Sequence, residues 1–250
     1  GAHVDVTVRF APDQDGDFTG QLTIESNDAD EPTLVFEMTG SGGKAAISTF
    51  IADDGDFGEV CEGLFRDLNL TIQNNGSCPL RINGVGLSGA DLADFELPNG
   101  TLGGTIIEAG NSLQVPVRFA PDVFGDPIPR VASVNVQSRT ANGNDLAVDQ
   151  TPVQGTVPPP DINVAIADSG NFGAVCKGDT ADLDLTLFNQ GRCDLTITDI
   201  NSFKFEVLLP EDLQLPLVLS HDADFTLPLR FAPDECFDEP FNSFVQIISD

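Results

Sequence analysis

The chain has no tryptophan and no tyrosine, although it carries 18 phenylalanines. Glycan grooves and aromatic cages usually stack their ligands on Trp or Tyr, so the sequence argues against that class of function. Basic residues are scarce. Eleven Lys and Arg stand against 40 Asp and Glu, giving a formal net charge of -29. Such a surface repels phosphate backbones and anionic headgroups, which argues against a nucleic-acid partner or a membrane face. No apolar run approaches the ~20 residues a bilayer span needs. The opening GAHVDV has neither a basic nor an apolar leader region, and Gly1-Ala2-His3 reads as a cloning remnant. That leaves His221, whose neighbours Ser220 and Asp222 are adjacent in sequence, whereas working triads are assembled from distant positions. No catalytic residue is assigned.

What the chain does contain is a repeat. Arg9-Phe10-Ala11-Pro12-Asp13 returns as Arg118-Phe119-Ala120-Pro121-Asp122 and as Arg230-Phe231-Ala232-Pro233-Asp234. Each copy ends an alternating run: Val4, Val6, Val8 and Phe10; Leu113, Val115, Val117 and Phe119; Phe225, Leu227, Leu229 and Phe231. Period two with one apolar face predicts a half-buried strand, and Pro-Asp predicts a turn after it. A second strand follows each time (FTGQLTIES, RVASVNVQS, NSFVQIIS), then a third in the first two copies (LVFEMTGSG, AVDQTPVQGTV).

Upstream, residues 51–82 align with residues 166–197, each residue 115 positions on. Leu68, Leu70 and Ile72 correspond to Leu183, Leu185 and Leu187 on one strand face. No helical period exceeds one turn, and GADLADFEL at 89–97 predicts a short helical turn. The expected fold is all-β: tandem immunoglobulin-like β-sandwiches of about seven strands each, in an elongated array. Residues 1–42 hold the last strands of a partial first sandwich, 43–157 a complete sandwich, and 158–250 a third lacking its last strand. Both ends are ragged against the repeat, as in an excerpt from a longer array or in ends that complete one another. GSGGKAA at 40–46 predicts a flexible linker, and TVPPPD at 156–161 a semi-rigid spacer. GSGGK lacks the spacing of a phosphate loop.

The order FG-x-V-x-x-G, L-x-(ILF)-x-N-x-G and then R-F-A-P-D resembles the ASH or Hydin-like immunoglobulin-type domains, whose bacterial members include choice-of-anchor D surface proteins. The matching residues are Phe57, Gly58, Val60, Gly63, the turn residue Asn74 or Asn75, Gly76, Phe119, Ala120 and Pro121 in the complete unit. In the third they are Phe172, Gly173, Val175, Gly178, Asn189, Gly191 and Phe231. The resemblance implies a seven-stranded sandwich related to the PapD and major-sperm-protein folds, used for protein binding or spacing. One departure is Pro116 and Pro228 within the strand before RFAPD, which predicts an edge strand or a bulge there.

Of five cysteines, Cys61 matches Cys176 and Cys78 matches Cys193. Their spacing does not suit zinc, so disulfides and an extracellular or cell-surface location are expected. Cys61 and Cys78 flank a strand of about eight residues, roughly 26 Å long, whereas a disulfide needs Cα atoms within about 7 Å. This favours a Cys61–Cys193 clasp, with Cys176–Cys236 as its companion. The alternative is Cys61–Cys78 with Cys176–Cys193.

Acidic pairs follow the RFAPD turns, among them Asp122 with Asp126, and Asp53, Asp54 and Asp56 form a further cluster. These are candidate Ca²⁺ ligands, although Asp is also a common turn residue and DQDGDF has Phe18 where a calcium loop needs Gly. No other cofactor is expected. The sequons at Asn69, Asn75 and Asn99 matter only in a glycosylating secretor.

The function expected is a non-catalytic structural or adhesive segment of a secreted or surface repeat protein, a spacer that binds protein partners. One alternative is a filament subunit assembled by strand donation between copies. A second is an intracellular ciliary or centrosomal scaffold, which requires reduced cysteines.

Overall fold

A computed structural model describes residues 3–122, 129–140, 143, 145–211, 213–235 and 242–249. The chain divides into two compact units. The first comprises Gly1–Phe57, Arg66–Phe119 and Arg130–Gln154, and the second Gly58–Phe65, Ala120–Pro129 and Gly155–Asp250. Among the described residues regular structure is strand, interrupted only by short 3-10 turns.

An antiparallel hairpin comes first, β1 (Gly16–Glu25) with β2 (Thr33–Gly42). The alternating run before it, Val4 to Phe10, is not a strand. Val4 and Val6 are 87% and 73% exposed, against the expectation. The later copies of this run each lie against a partner strand, and among the described residues this one has none. Alternation without a ladder partner does not form a strand.

The second sandwich contains β3 (Ile47–Ile51), β4 (Asp56–Glu59), β5 (Arg66–Asn74), β6 (Leu80–Ser88), β7 (Phe95–Glu96), β8 (Ile106–Ile107), β9 (Ser112–Phe119), β10 (Arg130–Thr140) and β11 (Asp149–Thr156). One sheet runs β3-β5-β9-β7 and the other β4-β11-β10-β6-β8. Leu68 lies opposite Val117 and Leu70 opposite Val115. These side chains, with Ile72, Ile82, Val134 and Val136, are buried, each contributing roughly 1.5–3 kcal/mol of hydrophobic stabilisation. The expected helical turn in 89–97 is a 3-10 turn, Leu92–Asp94.

The third sandwich repeats the plan with β12 (Ile162–Ile166), β13 (Ala181–Asn189), β14 (Leu195–Ser202), β15 (Glu206–Val207), β16 (Leu217–Leu219), β17 (Asp224–Phe231) and β18 (Val245–Ser249). Its sheets are β12-β13-β17-β15 and β16-β14-β18. Leu185, Leu187, Leu195, Ile197, Ile200, Leu219, Leu227 and Leu229 form its core. Counterparts of β4 and β11 are absent among the described residues, so β18 pairs with β14 alone.

The prolines do not force an edge strand or a bulge. β9 and β17 each have neighbours on both sides and keep an unbroken register with β5 and β13. Leu208 N donates to the Pro228 carbonyl at 3.0 Å. Backbone groups of one strand residue point the same way, so the absent N–H of Pro228 faces away from β13, where β15 has already ended.

The first linker also differs from expectation. GSGGKAA begins inside β2, and its end is tied to the β5–β6 turn: Ser77 N and Cys78 N donate to Lys44 O, and Asn75 N donates to Ala46 O. In the third sandwich Gln190 N donates to Asp161 O at 2.8 Å.

Candidate functional site

The phenylalanines of the two later RFAPD copies each sit in a ring cluster, whereas Phe10 meets only the Phe18 ring among the described residues and is half exposed. Phe57, Phe95 and Phe119 have centroids 4.9–5.9 Å apart, and Phe172, Phe205 and Phe231 have centroids 5.0–5.9 Å apart. The first trio is buried and the second only half-buried. Phe95 and Phe205, on the short strand or loop beside β9 and β17, were not singled out by the repeat pattern.

The difference in burial locates a groove. In the second sandwich β11 crosses over the turn at Gly55. A Cβ on Gly55 would meet Pro152 O at 2.4 Å, and Thr49 and Thr151 share a hydroxyl hydrogen bond of 2.7 Å. Thr151 and Val153 point inward and are buried. In the third sandwich the equivalent of Gly55 is Gly170, where a Cβ would meet only the Ile166 side chain, at 3.6 Å. The groove there is about 300 Å³, mostly apolar, and lined by Val164, Ile166, Phe172, Phe205, Phe244 and Ile247 among others. It is bordered by the outer edge of β18, whose backbone groups on that side have no ladder partner among the described residues.

Cys61 and Cys193 form a disulfide, with Cα atoms 5.5 Å apart. Both belong to the second compact unit, because the loop Gly58–Phe65 is grouped with it. The pairings Cys61–Cys78 and Cys176–Cys193 are therefore not present, as the strand length between Cys61 and Cys78 requires. Cys78 and Cys176 are free, the latter exposed. Cys236, proposed as the partner of Cys176, lies outside the described residues. Glu59 and Arg192 add an ion pair beside the disulfide.

Two side chains hold the turn that carries Cys193. Asn189 is 1% exposed; its amide donates to the carbonyls of Cys193 and Leu219 at 2.8 Å each, and its oxygen accepts from Gly191 N at 2.9 Å. Asn74 does the same for Cys78 and Ile107 in the second sandwich. His221, an exposed loop residue by sequence, places Nδ1 2.7 Å from Gly191 O and Nε2 3.3 Å from Asp222. It steadies this turn.

The acidic clusters are engaged locally. Asp53 pairs with Arg66 at 2.9 Å, and Asp56 accepts from Gln154 at 3.3 Å. Asp53 and Asp54 adopt left-handed φ of 51° and 52°, a conformation Asp tolerates better than most residues. Asp122 is exposed, and Asp126 lies outside the described residues. Among the described residues no group of three or more His, Cys, Asp or Glu is placed to hold a metal.

The arginines of the two later pentapeptides are spent on structure. Hydrogen bonds from Arg118 and Arg230 hold Asp67 and Asp182 below the usual carboxylate range, and the same bonds raise the two guanidinium pKa values.

No protein-family profile matches the chain, and no curated protein does. Solved structures similar to it include a protein of unknown function from Porphyromonas gingivalis W83, 11% identical, covering 74% of this chain and 83% of that one, with a TM-score of 0.35. The periplasmic chaperone SfaE is 14% identical over 73% and 86% of the two chains, with a TM-score of 0.34. An ASH / PapD-like domain of human CEP192 is 13% identical over 44% of this chain and 84% of its own, with a TM-score of 0.31. Likenesses this loose carry no argument, so the all-β sandwich fold is taken from the chain's own strand order.

Proposed function

We propose that this chain is a non-catalytic, protein-binding segment of a secreted or surface repeat protein, with its sandwiches strung in tandem as spacers. The observation that carries the binding role is the apolar groove of the third sandwich beside the edge of β18, which is unpaired among the described residues. A disulfide between Cys61 and Cys193 supports an oxidising, extracytoplasmic setting. Tandem spacing rests on the 115-residue offset between matching motifs. Small-angle scattering tests the spacer: a rod-like pair-distance distribution is expected, and a spherical one overturns it. A thiol count on freshly isolated protein tests the compartment, since five free thiols would favour an intracellular scaffold.

The same groove favours a second reading, a filament subunit that accepts a strand from a neighbour. A trans-added peptide of residues 149–157, DQTPVQGTV, tests whether the groove takes a strand, because β11 fills the equivalent place in the second sandwich. The expected result is saturable binding that protects the amides of β18 from hydrogen exchange. A peptide with Val153→Asp should not bind, and equal binding of both peptides would exclude a specific strand slot. Light scattering then separates the readings, because strand-linked polymers should persist in reductant whereas a spacer stays monomeric.

A further inference from the structure

Among the described residues two thiols are free, and they occupy matched positions. Cys176 follows Cys61 by 115 residues, and Cys78 precedes Cys193 by 115. Each sits in a copy of the backbone frame that holds its disulfide-bonded counterpart. In the Cys61 loop, Gly63 N donates to Pro121 O and Leu64 N to Cys61 O. In the Cys176 loop, Gly178 N donates to Pro233 O and Asp179 N to Cys176 O. In the turns, Asn74 binds Cys78 O and Gly76 N at 2.8 and 3.0 Å, and Asn189 binds Cys193 O and Gly191 N at 2.8 and 2.9 Å. The turn thiol lies against the preceding linker both times. Cys193 Sγ is 3.3 Å from Pro158 O, and a Cβ on Gly43 would come within 2.6 Å of Cys78 Sγ.

The surroundings of the two loops differ. Cys61 and Glu62 share a cleft with Arg192, Cys193 and Asp194 of the docked turn. Beside Cys176 there is instead an open cavity of about 590 Å³, bordered, among the described residues, by its own sandwich, including Phe172, Val175, Asp179 and Ala181. At the positions of the Glu59–Arg192 ion pair the other loop and turn carry Ala174 and Ser77, so neither attraction nor repulsion acts between those two positions.

We propose that the Cys176 loop receives the Asn-x-Gly-x-Cys turn of a second copy, at Asn74 to Cys78, and closes a Cys176–Cys78 disulfide between copies. Loop and turn are different surfaces, so the contact is head-to-tail and builds a ring or an open chain. The oxidant is a small-molecule disulfide such as oxidised glutathione. The Cys176 thiolate attacks one of its sulfurs and expels a glutathione thiolate, leaving a mixed disulfide. The Cys78 thiolate of the second copy then attacks the Cys176 sulfur and expels the second glutathione thiolate. Two protein thiols are oxidised, and one small disulfide is reduced to two thiols. This inference goes beyond the binding-module reading, and its covalent product is detectable whether or not the groove binds a strand.

The test incubates the 250-residue chain in a glutathione redox buffer, followed by non-reducing electrophoresis and peptide mapping of the dimer band. The expected result is a ladder that reductant collapses, with a Cys78 peptide joined to a Cys176 peptide. Cys78→Ser and Cys176→Ser should each lose the ladder, and a mixture of the two should give a dimer that extends no further. A persistent monomer overturns the proposal, as does a Cys176–Cys236 or Cys176–Cys176 peptide, or a ladder that survives reductant. Should a variant misfold, the peptide map of the unsubstituted chain decides alone.

Discussion

Arg118 grips Asp67 across the β5–β9 ladder, its Nε and Nη2 lying 2.7 and 2.9 Å from the two carboxylate oxygens, and Arg230 does the same to Asp182 at 2.8 and 2.9 Å. Planar, two-bond pairing of this kind suits Arg and not Lys. In the two later RFAPD copies the arginine braces the neighbouring strand, the phenylalanine enters the ring trio, and the proline carbonyl receives Gly63 N or Gly178 N. The repetition of these letters is thus a repeated structural task.

Acid should release the two forks. Asp67 and Asp182 have lowered folded-state pKa values, caused first by the hydrogen bonds from their arginines. A depressed carboxylate contributes stability that is present above its unfolded value of about 3.9 and lost as pH falls through the lowered value. Denaturant titrations across that acid range should show Arg118→Gln and Arg230→Gln with a flatter pH dependence than the unsubstituted chain. The effect should be small and weaken with salt, because the pairs are solvent-accessible.

Asn189→Ala and Asn74→Ala should each cost about 1–3 kcal/mol, since each leaves two buried carbonyls without their donor. Asn189→Asp should cost more, because it places a charged acceptor against Cys193 O and Leu219 O. Equilibrium unfolding in urea measures both.

Breaking the Cys61–Cys193 bond should free the loop Gly58–Phe65 while leaving the sandwich cores folded. In Cys61→Ser, hydrogen exchange and limited proteolysis are expected to rise in that loop first. The loss in stability should be up to about 5 kcal/mol, as expected for a cross-link that closes a loop across a sequence separation of 132.

The ring trios should respond unequally. Phe119→Ala removes a side chain that is 0% exposed and should cost about 3–5 kcal/mol. Phe231→Ala acts on a half-buried ring and should cost less. Equal losses in thermal or urea unfolding would mean that the groove beside Phe231 is filled in solution.

Calcium should give no calorimetric heat and no change in melting temperature. Asp53 is already paired with Arg66, and Asp56 with Gln154.

Strand positions were legible because alternation meets a partner. Leu68 to Ile72 and Val115 to Phe119 read as strands from their period and lie opposite one another. The same rule misreads Val4 to Phe10, because periodicity records a face and not whether another strand covers it. Strand length spoke against a Cys61–Cys78 bridge but did not by itself choose Cys193 as the partner. Asn74 and Asn189 read as turn residues, but their burial and carbonyl contacts depend on distant segments at Ile107 and Leu219. Phe95, Phe205 and His221 had no local signal, since each acts on residues remote in sequence.

The outer rim of β18, Val245-Gln-Ile-Ile-Ser249, carries neither a charge nor a proline. Natural sheets blunt such rims to prevent them from templating fibrils. Here the shield is the whole molecule's net charge of -29, which keeps copies apart by mutual repulsion. Acidification toward the isoelectric point near 4.1 removes that shield, so turbidity should set in there before either sandwich unfolds.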